Sequence, residues 1–307
     1  MMADKDPDLK DRYGQETAAF GAGEENNAGY LGRTSALEER AHRDGWVTEQ
    51  CIDYLARRQD DRPLFLYLSY LKPHAAHNVP AGYEDLYDPV DIRIPEQPPW
   101  TEDDSPHSAG CNRNDLYVPF WKNATDDQWK QMILRYKANC SWIDSMFGRA
   151  LHAMGQAGIL DNAVILYASD HGEMLGERYY RFNKYCLYDS SVRAPVILSG
   201  SALPDEVRGA VDPRNVELTD IYPTLLSSVG LDVPEICVGS NLLDQSWTRT
   251  ASFSALHERD GEASFMMRDS RFKLILTFNR GESPSTYERV ISVNYSSRST
   301  TIRFPVF

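Results

Sequence analysis

The sequence is poor in cysteine and has no paired cysteines. Its five (Cys51, Cys111, Cys140, Cys186 and Cys237) are odd in number, widely spaced and never form a Cys-x-x-Cys step. That argues against a disulfide framework and against a zinc knuckle, and free thiols fit a reducing compartment. Long apolar runs are missing too. The longest, Leu64 to Leu71, is far short of the roughly 20 residues a membrane-spanning helix needs, so no membrane span is expected. The start, Met1-Met2-Ala3-Asp4-Lys5-Asp6, is polar and shows no signal peptide, so it assigns no localisation. Positive charge is scarce, with 32 Lys and Arg against 45 Asp and Glu and a net charge of −13. Such a surface repels phosphate backbones and excludes nucleic acid as an expected partner. There is no internal repeat, and nothing specifies an oligomeric state. What remains is ordinary for a globular protein: 42% hydrophobic and 25% charged residues over 307 positions. That length accommodates one large α/β domain, or one domain and a smaller one.

Residues 1–43 are rich in Asp, Glu, Gly and Ala and read as a loop-rich start. The pattern changes at Asp44. Trp46, Val47, Cys51, Ile52 and Leu55 recur at helical spacing. Pro63 then opens Leu64-Phe65-Leu66-Tyr67-Leu68-Ser69-Tyr70-Leu71, nearly continuous and aromatic-rich, as expected of a strand buried on both faces. From Ala75 to Lys122 repeated prolines break any long element, and a loop of that length is a candidate substrate selector. The clearest helix follows, capped by Thr125 or Asp126. Trp129, Met132, Ile133, Tyr136, Cys140, Ile143, Phe147 and Leu151 are its expected buried face, with Gly155 and Gly158 at its end.

The run Ala163-Val164-Ile165-Leu166 reads as another buried strand, and Val192 to Leu198 as a short one interrupted by Pro195. Strand, helix, strand in that order predicts βαβ crossovers and a mostly parallel sheet flanked by helices. Residues 216–229 suggest a turn into a helix, with Thr219 or Asp220 as N-cap and Pro223 in the first turn. After Ser252 the sequence favours strands: 264–268 and 271–278, joined at Asp269-Ser270, read as a hairpin in a small C-terminal antiparallel sheet. The tail from Asn279 shows no core pattern. The division expected is therefore a start at 1–43, an α/β domain at 44–250 and a β subdomain with an irregular tail at 251–307.

Chemistry concentrates at Ser169-Asp170-His171-Gly172-Glu173. In an open α/β sheet, ligands sit beyond the carboxyl ends of strands, and here a carboxylate and an imidazole follow one. A second expected strand, Leu64 to Leu71, ends in Lys72-Pro73-His74. Strands side by side would bring both histidines to one rim, where Lys72 and Lys184 would make a cationic site on an acidic protein. Such a site suits transfer of an anionic group. Taken singly, each residue has a plain reading: Asp170 as a turn cap, the lysines as solvated. His77, Glu173 and Glu177 are expected to face water.

The residues from Arg62 to Pro89, with Lys72-Pro73-His74, Pro80, Tyr83 and Tyr87, resemble the sulfatase family. Those from Arg135 to Gly200 resemble it more strongly, through Ser169-Asp170-His171-Gly172-Glu173-Met174-Leu175-Gly176-Glu177, Lys184 and Ser191-Val192-Arg193-Ala194-Pro195. The likeness spans most of Trp46 to Leu276. It implies the alkaline-phosphatase-like α/β fold and metal-assisted hydrolysis of a sulfate monoester on a carbohydrate or aryl sulfate. It implies Asp170 and His171 as metal ligands, His74 as donor to the ester oxygen, Lys184 as sulfate ligand and Lys72 as a contact to a substrate substituent. The implied metal is divalent, Ca2+ by family, with Mg2+ or Mn2+ as alternatives. Many sulfatases carry Asn at the position of His171, whereas related phosphonate and phosphodiester hydrolases share the Asp-His pair.

The departure is the nucleophile. The family oxidises a Cys or Ser in a Cys/Ser-x-Pro/Ala-x-Arg motif to formylglycine, and no such motif occurs here. The family's first strand and its paired metal-binding aspartates are also missing. The expectation is a sulfatase lacking its N-terminal portion, inactive alone. The alternatives are a phosphonate monoester or phosphodiester hydrolase, or a non-catalytic remnant that assembles with a partner.

Overall fold

The computed structural model describes residues 31–97, 118–257, 263–278, 289–295 and 298–304. Cys111 and part of the proposed selector loop lie outside the described residues. The chain divides into two units. The first takes residues up to Gln97, Leu116–Ala163 and Leu175–Phe182; the second takes Pro98–Asp115, Val164–Met174 and Asn183–Phe307.

The first unit is built on helix α1, Arg43–Arg57, and helix α3, Asp126–Gln156, with the short α2, Val118–Asn123, between them in sequence. Thr125 caps α3 in a reciprocal box. Its hydroxyl accepts from the Gln128 backbone at 3.3 Å, and the Gln128 side chain accepts from the Thr125 backbone at 2.8 Å. Asp126 and Asp127 in the first turn suit the positive end of the helix dipole. The buried face runs Trp129, Met132, Ile133, Asn139, Trp142, Ile143, Met146 and Ala150. Cys140, expected on that face, is exposed. Trp121, Trp129 and Phe182 stack into a tryptophan-rich core, with ring centroids 4.3 and 4.9 Å from Trp121.

Leu64–Leu71 corrects the sequence reading. The segment alternates half-buried and exposed residues and joins no sheet. Leu64, Leu66 and Leu68 pack on Cys51, Leu55 and Ala150 of the helices, while Phe65 and Tyr67 remain 79% and 77% exposed. The continuous apolar run concealed a period of two. His77 is a second correction. Expected at the surface, it is fully buried, edge-on to the rings of Tyr136 and Phe182 at 5.6 and 5.8 Å.

In the second unit, strand β1, Ile165–Ala168, pairs antiparallel with β2, Val196–Ser199, in the register Ile165↔Ser199 to Ala168↔Val196. The mostly parallel sheet is therefore not what the described strands form. All of their ladders are antiparallel, and the one parallel contact among the described residues is an isolated bridge between Thr34 and Val79 in the first unit. The strand expected from Val192 begins only at Val196. Asp189–Val192 makes a helical turn, and Pro195 withholds a ladder donor just before β2. Helix α4, Ile221–Ser228, forms where expected, with Pro223 buried in its first turn.

The C-terminal antiparallel sheet is present and larger than expected. Its order is β3 (Ser252–His257), β4 (Ala263–Arg268), β5 (Lys273–Phe278), β6 (Arg289–Tyr295) and β7 (Arg298–Phe304). Asp269 makes the predicted β4–β5 turn, its carboxylate taking the Arg271 backbone N–H at 2.7 Å. Met266 and Ile275 face Met174, Cys186, Leu187 and Tyr188 to form this unit's core. Strands β6 and β7 lie in the tail that showed no core pattern. Their β-branched residues are interleaved with Ser, Arg and Asn, so pairing of β6 with β5 and of β7 with β6 reveals them where periodicity does not.

Candidate functional site

The second unit assembles one group of the expected residues. At the end of β1 the Ser169 backbone N–H donates to Pro195 O at 3.3 Å, and its hydroxyl donates to His171 O at 2.7 Å. The His171 backbone N–H donates to Asp170 Oδ1 at 3.0 Å. Gly172 then donates to Ser191 O at 2.6 Å. A Cβ at position 172 would sit 2.1 Å from Ser190 O, so only glycine lets this turn lie against the 190–191 backbone. The Ser191 hydroxyl donates to Lys184 O at 2.6 Å. Buried Ser191 thus ties the Asp170-His171 turn and the Lys184 segment to one point. It was quoted only as part of a recognisable string, because a serine's anchoring role has no sequence signature.

The result is an exposed carboxylate beside a partly exposed imidazole and a half-buried lysine. The Asp170 side chain is 85% exposed and lies 3.6 Å from His171 Nε2. His171 Nδ1 lies 2.7 Å from Gly172 O. A carbonyl only accepts, so Nδ1 carries a proton, and Nε2 faces Asp170. Burial pushes the Lys184 ammonium below its ordinary value, and the negative charges of Glu173 and Asp170 pull it back up. Glu173, expected in water, is buried, which strengthens its hold on Lys184.

The first unit assembles the other group. Lys72 Nζ donates to His74 O at 3.2 Å and also to Ala76 O, so the ammonium closes the loop that carries His74 rather than standing free in solvent. His74 is exposed, its Nδ1 against Ala75 O. His77 lies beneath. Burial, reinforced by the charge of Lys72, opposed by the Pro73 carbonyl and reinforced again by His74 and Arg135, lowers its pKa to about 3. The loop is anchored on a buried side: Asn78 Oδ1 accepts from Arg33 N at 3.1 Å, Arg135 Nη1 reaches Leu31 O at 3.3 Å, and Arg135 Nε pairs with Glu84 at 3.1 Å.

Among the described residues, no three His, Cys, Asp or Glu side chains gather into a metal cage. Asp170 and His171 offer at most two adjacent donors. By themselves they do not fit a complete divalent site, which for Ca2+ takes about six to eight oxygen ligands.

These features meet in the comparisons with known proteins. The chain belongs to the sulfatase family, whose model, described as Sulfatase, matches residues 10–231. It is 31% identical over 239 residues to an arylsulfatase of Clostridium perfringens, covering 77% of this chain and 48% of that protein. It is 29% identical over 196 residues to a choline-sulfatase of Rhizobium meliloti, covering 62% and 37%. The structure superposes on a phosphonate monoester hydrolase from Silicibacter pomeroyi with a TM-score of 0.69 and 23% identity, covering 89% of this chain and 63% of that one. The chain has the fold shared by sulfatases and phosphonate monoester hydrolases, and it spans about half the length or less of these curated relatives.

Proposed function

We propose that this chain carries the anion-binding half of a sulfuric ester hydrolase site. The carrying observation is the cluster Asp170, His171 and Lys184, joined through Ser191, on a chain that the sulfatase model matches over most of its length. In this reading Lys184 binds the sulfate oxygens of a carbohydrate or aryl sulfate. His74, held by its loop, hands a proton to the ester oxygen as the alkoxide leaves. Lys72 holds the loop and meets a substituent of the substrate. Asp170 and His171, through Nε2, are the contribution these residues make to a divalent site that needs further ligands.

The attacking oxygen is missing. No residue of this sequence stands in the formylglycine motif, so binding outlasts turnover in the isolated chain. The resemblance to a phosphonate monoester hydrolase structure, together with the Asp-His pair, favours one second reading, an aryl phosphonate in place of the sulfate.

The test has two arms. Sulfate release from an aryl sulfate is measured with Ca2+, Mg2+ or Mn2+ and is expected to equal that of a His74→Ala, Lys184→Ala double variant; turnover well above that control overturns the inactivity. Calorimetry with phenyl sulfate and phenyl phosphonate should show binding that Lys184→Ala weakens at least about tenfold, or 1.4 kcal/mol. Equal affinity for both proteins removes Lys184 from the site, and a preference for the phosphonate selects the second reading.

A further inference from the structure

We infer that Asp189, held between Arg268 and Lys273 of the C-terminal sheet, is a positioning residue for the anion site: through Ser191 it sets the place of Lys184 and of the Asp170-His171 turn. Asp189 opens the helical turn 189–192. Its Oδ1 accepts from Lys273 Nζ at 2.8 Å and its Oδ2 from Arg268 Nη1. Those two cations end β4 and begin β5, and they face each other directly across the ladder. Like charges so placed repel, and the carboxylate between them removes the repulsion. Lys273 is buried, which a cation tolerates only when paired. Burial would raise the Asp189 carboxyl, but the hydrogen bonds from Arg268 and Lys273 bring its pKa down to about 2, so the clamp stays charged throughout the neutral range.

Two residues further on, the turn meets the site. Ser191 is buried; its hydroxyl donates to Lys184 O at 2.6 Å, and its carbonyl takes the Gly172 N–H at 2.6 Å. The turn between is tightly bonded: the Ser191 N–H donates to Tyr188 O at 2.9 Å and the Arg193 N–H to Asp189 O at 3.0 Å. A shift of Asp189 is therefore passed to the Lys184 segment and to the Asp170-His171 turn together. Holding the sheet in place needs no charge, because Met266 and Ile275 already pack on Cys186, Leu187 and Tyr188. An apolar side chain at 273 would serve adhesion as well as an ion pair whose desolvation offsets its attraction. What the fork adds is direction: one donor on each oxygen fixes the orientation of the carboxylate, and with it the first residue of the turn. The inference rests on the sulfate reading of Lys184 and adds to it the residues that hold that lysine in place.

The experiment compares Asp189→Asn, Arg268→Met and Ser191→Ala with the parent chain in two measurements. The first is hydrogen exchange of the Gly172 amide, followed by NMR. Asp189→Asn should speed it at least about tenfold while the β4–β5 ladder keeps its protection. The second is calorimetry with phenyl sulfate. Asp189→Asn should weaken binding at least about tenfold, the scale on which supporting groups act on a ligand-holding residue. Adding Asp189→Asn to Ser191→Ala should change the affinity less than about twofold, because both act through one contact. Arg268→Met, which leaves the Asp189–Lys273 pair in place, should shift both readouts the same way, and it decides the matter if Asp189→Asn does not fold. Unchanged Gly172 exchange, or an unchanged affinity for a ligand that the parent binds, overturns the inference, even where the unfolding midpoint falls, since that is the mark of simple adhesion. A parent that binds no phenyl sulfate removes the sulfate reading instead, and Gly172 exchange alone then decides whether the clamp positions the turn.

Discussion

His77 has no exposed surface, and neither ring nitrogen has a partner at hydrogen-bonding geometry. Lys72, His74 and Arg135 are the charged or titratable groups that raise the cost of protonating it, and Tyr136 and Phe182 supply its ring contacts. Its folded pKa of about 3 lies below its ordinary 6.5, so the folded state binds fewer protons than the unfolded one. Stability tied to this group is complete above pH 6.5 and is lost as pH falls from 6.5 toward 3. At about 1.4 kcal/mol per pH unit, going from pH 7.5 to 4.5 should cost about 3 kcal/mol through His77 alone. His77→Leu removes the titrating ring. Urea unfolding of both proteins at the two pH values gives the answer as a difference of differences, in which every other titrating group cancels. The variant should lie within about 1–2 kcal/mol of the parent at pH 7.5 and be the more acid-resistant by about 3 kcal/mol. Equal acid sensitivity in the two proteins would refute the claim that this imidazole is held neutral by burial.

Asp220, one of two expected helix caps, stands at the N-cap position of α4, makes no side-chain cap bond there and closes a clamp. Its carboxylate takes Arg249 in a fork at 2.6 and 2.7 Å, and the backbone N–H groups of Glu217 and Ser240 at 2.8 and 2.7 Å. Asp220→Asn leaves the half-buried Arg249 guanidinium without its counter-charge and should cost about 2–3 kcal/mol in urea unfolding, with part of the loss recovered by adding Arg249→Met. A cost below that of the exposed-pair variant Asp60→Asn would show that the fork does not stabilise the unit. Thr125→Ala breaks the capping box of α3 and should lower stability by about 1 kcal/mol, with Thr125→Ser near neutral; identical unfolding midpoints for Ala and Ser variants would rule the box out as a stabiliser.

How far the sequence could be read differs element by element. Helix α3 was legible from end to end because local rules fix it: a capping box at Thr125, 3.6-residue apolar spacing, glycines at the far end. The β4–β5 hairpin was legible for the same kind of reason, with period-two strands either side of Asp269. The family was legible in the Ser-Asp-His-Gly-Glu string and in the residues around His74. Leu64–Leu71 and His77 were misread together, since a run of apolar residues does not say how many of its faces are covered, and a histidine's burial is set by what folds over it. The parallel sheet was inferred from element order, but pairing direction is decided by which backbones meet.

From its own residues, then, the chain determined the family and the positions of α1, α3 and α4, and it singled out Lys72, His74, Asp170, His171 and Lys184 as candidates. Those depend on short-range patterns, which neighbours along the chain enforce. Tertiary structure alone decided that Ser191 joins Lys184 to the Asp170 turn, that Glu173 is buried beside that lysine, that Lys72 closes the His74 loop, and that among the described residues no strand pairs with 64–70. Each of those is a contact, or the want of one, between segments distant in sequence, and no periodicity encodes it.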